Sequence, residues 1–190
     1  MRKLLIISFL FIFFISCGIK TKFNKDELKW FNVYNVGDTL VFKSDKSELD
    51  TSIIIQKDLY YPDYNPIEVH DKYLPQWGVV WYKNKNLEYH KDGYKLLSMI
   101  KKHPNRKTSL SINYLYSSVL ILNLTTNSIE KVKKGQVYEF DTYHSKAKPH
   151  EPRTIYWHED FGILKYITHD STSWNRIDKR FYAANISFKK

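Results

Sequence analysis

The chain has 190 residues, one cysteine and a formal charge of +10, with 15 tyrosines, 11 phenylalanines and 5 tryptophans. The length suits one domain with a proper core, the lone cysteine excludes a disulfide framework, and a basic surface can attract nucleic acid, anionic lipid or acidic polysaccharide. The basic residues are scattered, with no run of five or more, which is the pattern of a solvated surface.

Arg2 and Lys3 precede an apolar run, Leu4 to Ile15, interrupted only by Ser8. A membrane-spanning helix needs about 20 apolar residues, so a run of this length is the central region of an export signal. It ends in Phe14-Ile15-Ser16-Cys17-Gly18. This ending resembles the bacterial lipobox, in which a small residue precedes a cysteine, although Phe14 stands where leucine is usual. The resemblance implies cleavage before Cys17, a diacylglycerol on its thiol and a third acyl chain on the new amino group. Each buried methylene contributes about 0.8 kcal/mol, so two or three chains anchor firmly where one would not. The competing reading is a free or disulfide-bonded cysteine in an uncleaved anchor. Gly18, in place of an aspartate that would favour the inner membrane, points to the outer membrane if the source has one. The expected organisation is a signal peptide over 1–16, a lipidated N-terminus and tether over 17–26, and one β-rich domain over 27–190. Cleavage removes Arg2 and Lys3, so +10 becomes +8, and export removes nucleic acid from the partner classes.

Downstream, Tyr, Val, Ile and Thr dominate and alanine is scarce, which favours sheets. Strands are predicted over 29–35, 39–44 and 51–57, joined by a turn at Val36-Gly37-Asp38 and a polar turn over 45–50. Residues 58–76, rich in Tyr, Pro and Asp, are predicted as a loop. Strands resume at 79–82, with 87–90 as a continuation; 94–103 fits either a short helix or a strand. A hairpin is predicted from 109–116 and 118–124, followed by strands at 137–140, 154–157, 162–168, 174–177 and 181–188. Short strands at spacings of roughly eight to twelve residues mark a sandwich or barrel. The expected fold is mainly β, a curved antiparallel sheet, barrel- or sandwich-like, with at most one or two short helices.

No nucleophile motif or glycine-rich phosphate loop is present. The best metal candidates are His144, His150, Glu151, His158, Glu159 and Asp160, whose spacing matches no zinc signature. His70 with Asp71, and His169 with Asp170, are candidate acid–base pairs, and both dipeptides fall where turns are expected. No catalytic, cofactor or metal residue is assigned; Cys17 is assigned to lipidation. Tyr60, Tyr61 and Tyr64, with Trp77, Trp81 and Tyr82, are candidates for stacking on sugar faces, set against the reading that such rings fill or cap a barrel. Asn123-Leu124-Thr125 and Asn185-Ile186-Ser187 match the glycosylation triplet, which a bacterial exported protein would not normally use.

Two further stretches carry a resemblance. Trp30-Phe31, Tyr34, Gly37-Asp38, Phe42 and Ser44, followed by Asp50-Thr51, are one; Tyr156-Trp157, Phe161 to Tyr166, Asp170 and Trp174 are the other. They are similar to the opening and closing segments of small bacterial lipoproteins with a lipobox-type signal peptide, a group that brings no activity with it. The expectation is a non-enzymatic envelope lipoprotein, attached to the membrane through Cys17, whose domain binds an envelope protein or glycan or supports the envelope. The alternatives are a barrel module holding an apolar or glycan ligand and, ranked last, a hydrolase with an unrecognised site.

Overall fold

Short strands that turn every second side chain inward need a shared interior, and a single sheet supplies one by curling on itself. The structure is a computed structural model and describes residues 19–63, 72–87, 92–121, 137–142, 147–158 and 160–178. Cys17, the apolar run before it, most of 87–90, residues 122–124 and the expected strand over 181–188 lie outside these residues.

The elements are β1 (Ile19–Lys20), α1 (Lys25–Asn32), β2 (Thr39–Ser44), β3 (Leu49–Tyr60), β4 (Tyr73–Leu74), β5 (Gln76–Asn84) and β6 (Tyr94–Lys101), then β7 (Ser109–Tyr114), β8 (Ser117–Ile121), β9 (Val137–Asp141), β10 (Pro152–His158), β11 (Gly162–Thr168) and β12 (Ser173–Arg176). Ten strands form one antiparallel sheet in the order β8-β7-β6-β5-β3-β2-β12-β11-β10-β9; β1 and β4 pair separately and in parallel. Register shifts beside Ile54, Val80 and Tyr156 bend the sheet. The curl brings edge strand β8 to the strand beside the other edge: Ser117 Oγ on β8 donates to the Pro152 carbonyl on β10 at 2.7 Å. The result is a nearly closed, barrel-like sheet with one short helix. Among the described residues no helix is long and apolar enough to cross a membrane.

The strand expected over 29–35 is instead mostly helix. Asn24 Oδ1 accepts from Glu27 N–H, and Glu27 Oε2 accepts from Asn24 N–H, each at 2.8 Å. This capping box satisfies two groups that a helix start otherwise leaves bare. Asp26 and Glu27 suit the positive end of the helix dipole. Glu27 and Phe31, one turn apart, face the domain and are buried. Other boundaries also move. Leu49 and Asp50, expected in a turn, open β3; the loop expected over 58–76 begins and ends as strand; and 94–103, open between helix and strand, forms β6 between β5 and β7.

Residues 19–24, expected as tether, run against the domain. Ile19 N–H donates to the Lys72 carbonyl at 3.0 Å and Thr21 N–H to that of Leu74 at 2.9 Å. Thr21 and Phe23 are buried.

The register sorts the contacts of α1 onto one end of the barrel. Phe31 lies under Gly78 at the start of β5, Lys101 at the end of β6 reaches Glu27, and Trp30 stacks on Trp157 late in β10 at 5.9 Å. After the helix, Tyr34 is fully buried and its hydroxyl oxygen accepts from Ile163 N–H at 2.9 Å. Gly162 makes room for this contact. Its φ is +74°, and a Cβ there would sit 2.1 Å from the Tyr34 hydroxyl. Gly37 also has a positive φ, +92°, but nothing lies within 4 Å of its Cβ position. Gly37→Ala is therefore expected to cost the backbone term alone, about 1–2 kcal/mol. Gly162→Ala should cost about 1–3 kcal/mol more, because Tyr34 must move. Urea unfolding of the two variants reads the difference; equal losses would show that the Tyr34 contact contributes nothing.

Candidate functional site

β3 opens with Asp50, Ser52 and Ile54 on its inner face, and Asp50 is 1% exposed. A carboxylate removed from water must find donors in the protein wall. Asp50 has four. Asn84 Nδ2 and Asn86 Nδ2 donate to Oδ1 at 2.6 and 2.9 Å. The Tyr114 and Tyr166 hydroxyls donate to Oδ2 at 2.8 and 3.1 Å. Ser52 Oγ extends the network, accepting from Asn84 at 2.8 Å and lying 3.1 Å from the Tyr114 hydroxyl. The donors come from β5, the turn after it, β7 and β11, so one carboxylate joins four parts of the wall.

Aromatic rings enclose this network. Phe42 packs on Tyr114 at 5.7 Å and on Tyr166 at 5.2 Å, and Tyr82 stacks on Tyr114 at 5.5 Å. Burial pushes the Tyr82, Tyr114 and Tyr166 hydroxyls well above their ordinary value of 10, and the Asp50 charge pushes the same way. They remain donors across neutral pH. Asp50 starts β3 and Asn84 ends β5, so the network lies toward the barrel end opposite α1. Exposed Asn86 is its outermost member.

The α1 end has its own buried charge pair. Lys101 Nζ meets Glu27 Oε1 at 2.7 Å, with both side chains under one-tenth exposed. Thr108 Oγ1 donates to the same oxygen, while Oε2 closes the capping box. Burial pushes the Glu27 carboxyl up, but the hydrogen bonds from Lys101, Thr108 and Asn24, with the Lys101 charge, outweigh it and leave it below its ordinary value. A third buried charge, Arg176, donates to the Phe161 carbonyl and pairs with Asp178, tying down the β10–β11 turn.

The sequence candidates are dispersed. His144, Glu159, His70, Asp71 and Tyr64 lie outside the described residues. His150 is exposed; buried His158 accepts from Asp160 N–H at 3.1 Å. Buried Glu151 accepts from Lys148 N–H through its carboxylate at 3.1 Å. Among the described residues no three His, Cys, Asp or Glu side chains form a group that could hold a metal ion. Asp170 is bound to Thr168 Oγ1 and Thr172 N–H, which with Thr172 Oγ1 and Lys46 hold its carboxyl down at about 2. It staples the β11–β12 turn; His169 Nε2 has no partner among the described residues.

Of the candidate aromatics, Tyr82 faces the interior and its hydroxyl oxygen accepts from Leu115 N–H at 3.0 Å. Tyr61 donates to the Thr21 carbonyl at 2.7 Å. Tyr60 and Trp77 are a cross-strand pair, stacked at 6.3 Å. Trp81 Nε1 donates to Asp58 at 3.1 Å. Among the described residues, Tyr82 is thus separated from the others by its inward position, while Tyr60 and Trp77 are the pair that stack on each other.

Removing Asp50 should strand the buried Tyr166 hydroxyl and take a partner from Tyr114 and Asn84, while exposed Asn86 can turn to water. Asp50→Ala is expected to cost more than about 3 kcal/mol, and Tyr114→Phe about 1–2 kcal/mol, in urea unfolding. The Glu27 carboxyl is lower folded than unfolded. Its contribution is therefore complete above its ordinary value of 4.5 and is lost as pH falls through the lower folded value. Unfolding midpoints measured downward from pH 4.5 should drop less steeply in Glu27→Gln than in the wild type. Comparison of the chain with family models, with curated proteins and with solved structures finds no significant match in any of the three.

Proposed function

We propose that the chain is an envelope lipoprotein, lipid-anchored at Cys17, whose barrel-like domain is a non-enzymatic binding or structural module. The observation that carries this reading is the N-terminal pattern: a basic start, a short apolar run and Ser16-Cys17, only two residues before the first described strand at Ile19. Cleavage before Cys17 would leave Gly18 alone between the lipidated residue and Ile19, which pairs with Tyr73.

The interior supports a structural role for its polar groups. Both Asp50 oxygens are engaged by side chains of the same barrel, and Glu27 is engaged at both oxygens by Asn24, Lys101 and Thr108. Groups satisfied in this way hold a fold together; a general acid or base needs a face turned toward a substrate. The partner is an envelope protein or glycan reached from the membrane surface, with the outer membrane favoured where the source has one.

Growth of an expressing bacterium with a labelled fatty acid tests the anchor. The wild type should carry label and shift to the membrane fraction, while Cys17→Ala should carry none. Equal labelling of both would overturn the proposal.

A further inference from the structure

The segment after Cys17 determines which end of the barrel lies nearest the anchor. Ile19 is two residues from Cys17, so at most about 7 Å of extended chain separates their Cα atoms. From Ile19 onward the chain is held. Ile19 pairs with Tyr73 and Lys20 with Leu74, and the Thr21 hydroxyl lies between the carbonyls of Leu74 and Lys101 while accepting from Gln76 N–H at 2.8 Å. The α1 end therefore cannot swing far from whatever holds Cys17.

The surface gathered there is basic. Three segments meet at this end, 19–29, 72–76 and 101–108, joined by the β1–β4 pair, the Thr21 bonds and the Glu27–Lys101 pair. They expose Lys20, Lys22, Lys72, Lys102 and Arg106; among the described residues the exposed acids at this end are Asp26, paired with Lys29 at 2.9 Å, and Asp63, two residues beyond Tyr61. Apolar groups stand among these cations. Ile19 is 45% exposed and Tyr60 is 42% exposed, and Lys20 Nζ lies 5.0 Å from the centre of the Tyr61 ring. Cations mixed with tyrosine and an aliphatic side chain match a headgroup layer, where anionic charge adjoins the acyl boundary.

We propose that the α1 end of the barrel rests on an anionic phospholipid surface, with Lys20, Lys22, Lys72 and Lys102 against the headgroups and the Asp50 end directed away. This deepens the lipoprotein reading and rests on it for the anchor at Cys17. The occupant is a membrane, because the short anchor presents this face to one and the surplus of cations complements it. Basic groups near an anionic bilayer gain attraction that decays within a Debye length, about 10 Å, so an anchor this short keeps them in range.

The full chain, isolated from membranes, is placed in vesicles of phosphatidylcholine with or without phosphatidylglycerol. It is then acetylated by a membrane-impermeant reagent and read by mass spectrometry. In anionic vesicles Lys20, Lys22, Lys72 and Lys102 should react about fivefold or more slowly than in neutral ones, and high salt should restore their reactivity. Lys43 and Lys85, toward the far end, should react equally in both. Lys20→Glu with Lys72→Glu and Lys102→Glu, all at exposed sites, should lose the protection of Lys22. Equal reactivity in both vesicle types, or protection centred on Lys43 and Lys85, would overturn the proposal. Labelled Cys17 with no protection would sink the docking face and leave the lipoprotein reading standing; protection without fatty-acid label would do the reverse.

Discussion

A carboxylate sealed inside a β-barrel must be satisfied by the barrel itself, and Asp50 makes that requirement a constraint on shape. Its acceptors face Tyr114 on β7, Tyr166 on β11 and Asn84 on β5, with Asn86 just beyond. These groups reach one point only if the sheet is curled as tightly as it is. A flatter sheet would leave donors unmet, at about 1–3 kcal/mol for each buried group. The packing of Phe42, Tyr82, Tyr114 and Tyr166 follows from the same convergence, since the rings that carry the hydroxyls also fill the space around them.

The opposite end is organised by Glu27, which caps a helix with one oxygen and binds Lys101 and Thr108 with the other. A buried ion pair adds little net stability over an apolar substitute, but losing one partner is costly. Glu27 thus fixes how α1 sits across the barrel end, where Trp30 meets Trp157 and Tyr34 reaches Ile163. The two ends differ in kind. One is covered by a helix and rimmed by cations; the other holds a hydrogen-bond network with Asn86 at its edge.

Much of the sheet was legible because turn residues bracket short alternating runs. The predicted spans 39–44 and 162–168 coincide with β2 and β11, and the hairpin of β7 and β8 forms where it was expected. The helix was missed for a physical reason. Trp30, Phe31, Val33 and Tyr34 have strand propensity, and polar Asn32 between Phe31 and Val33 looks like the alternation of a strand. The competing signal was present in Asn24 and Glu27 at capping-box spacing, with Phe31 a turn beyond. The Asp50 network was illegible for a different reason. Its donors lie from 34 to 116 residues away in the chain, so no local pattern joins them. Only the inward alternation of Asp50, Ser52 and Ile54 hints that this aspartate belongs to an interior.

The pairing of β12 with β2 has a kinetic side. Trp174 lies opposite Ser44 and Arg176 opposite Phe42, in the middle of the sheet and not at its edge. The seam between the two halves is therefore closed by the last described strand to leave the ribosome, and until then β2 has a bare edge. Pairings so distant in sequence make for slow folding, on the scale of milliseconds to seconds. A sheet built this way stays open at β2 through most of its synthesis, until β12 is available.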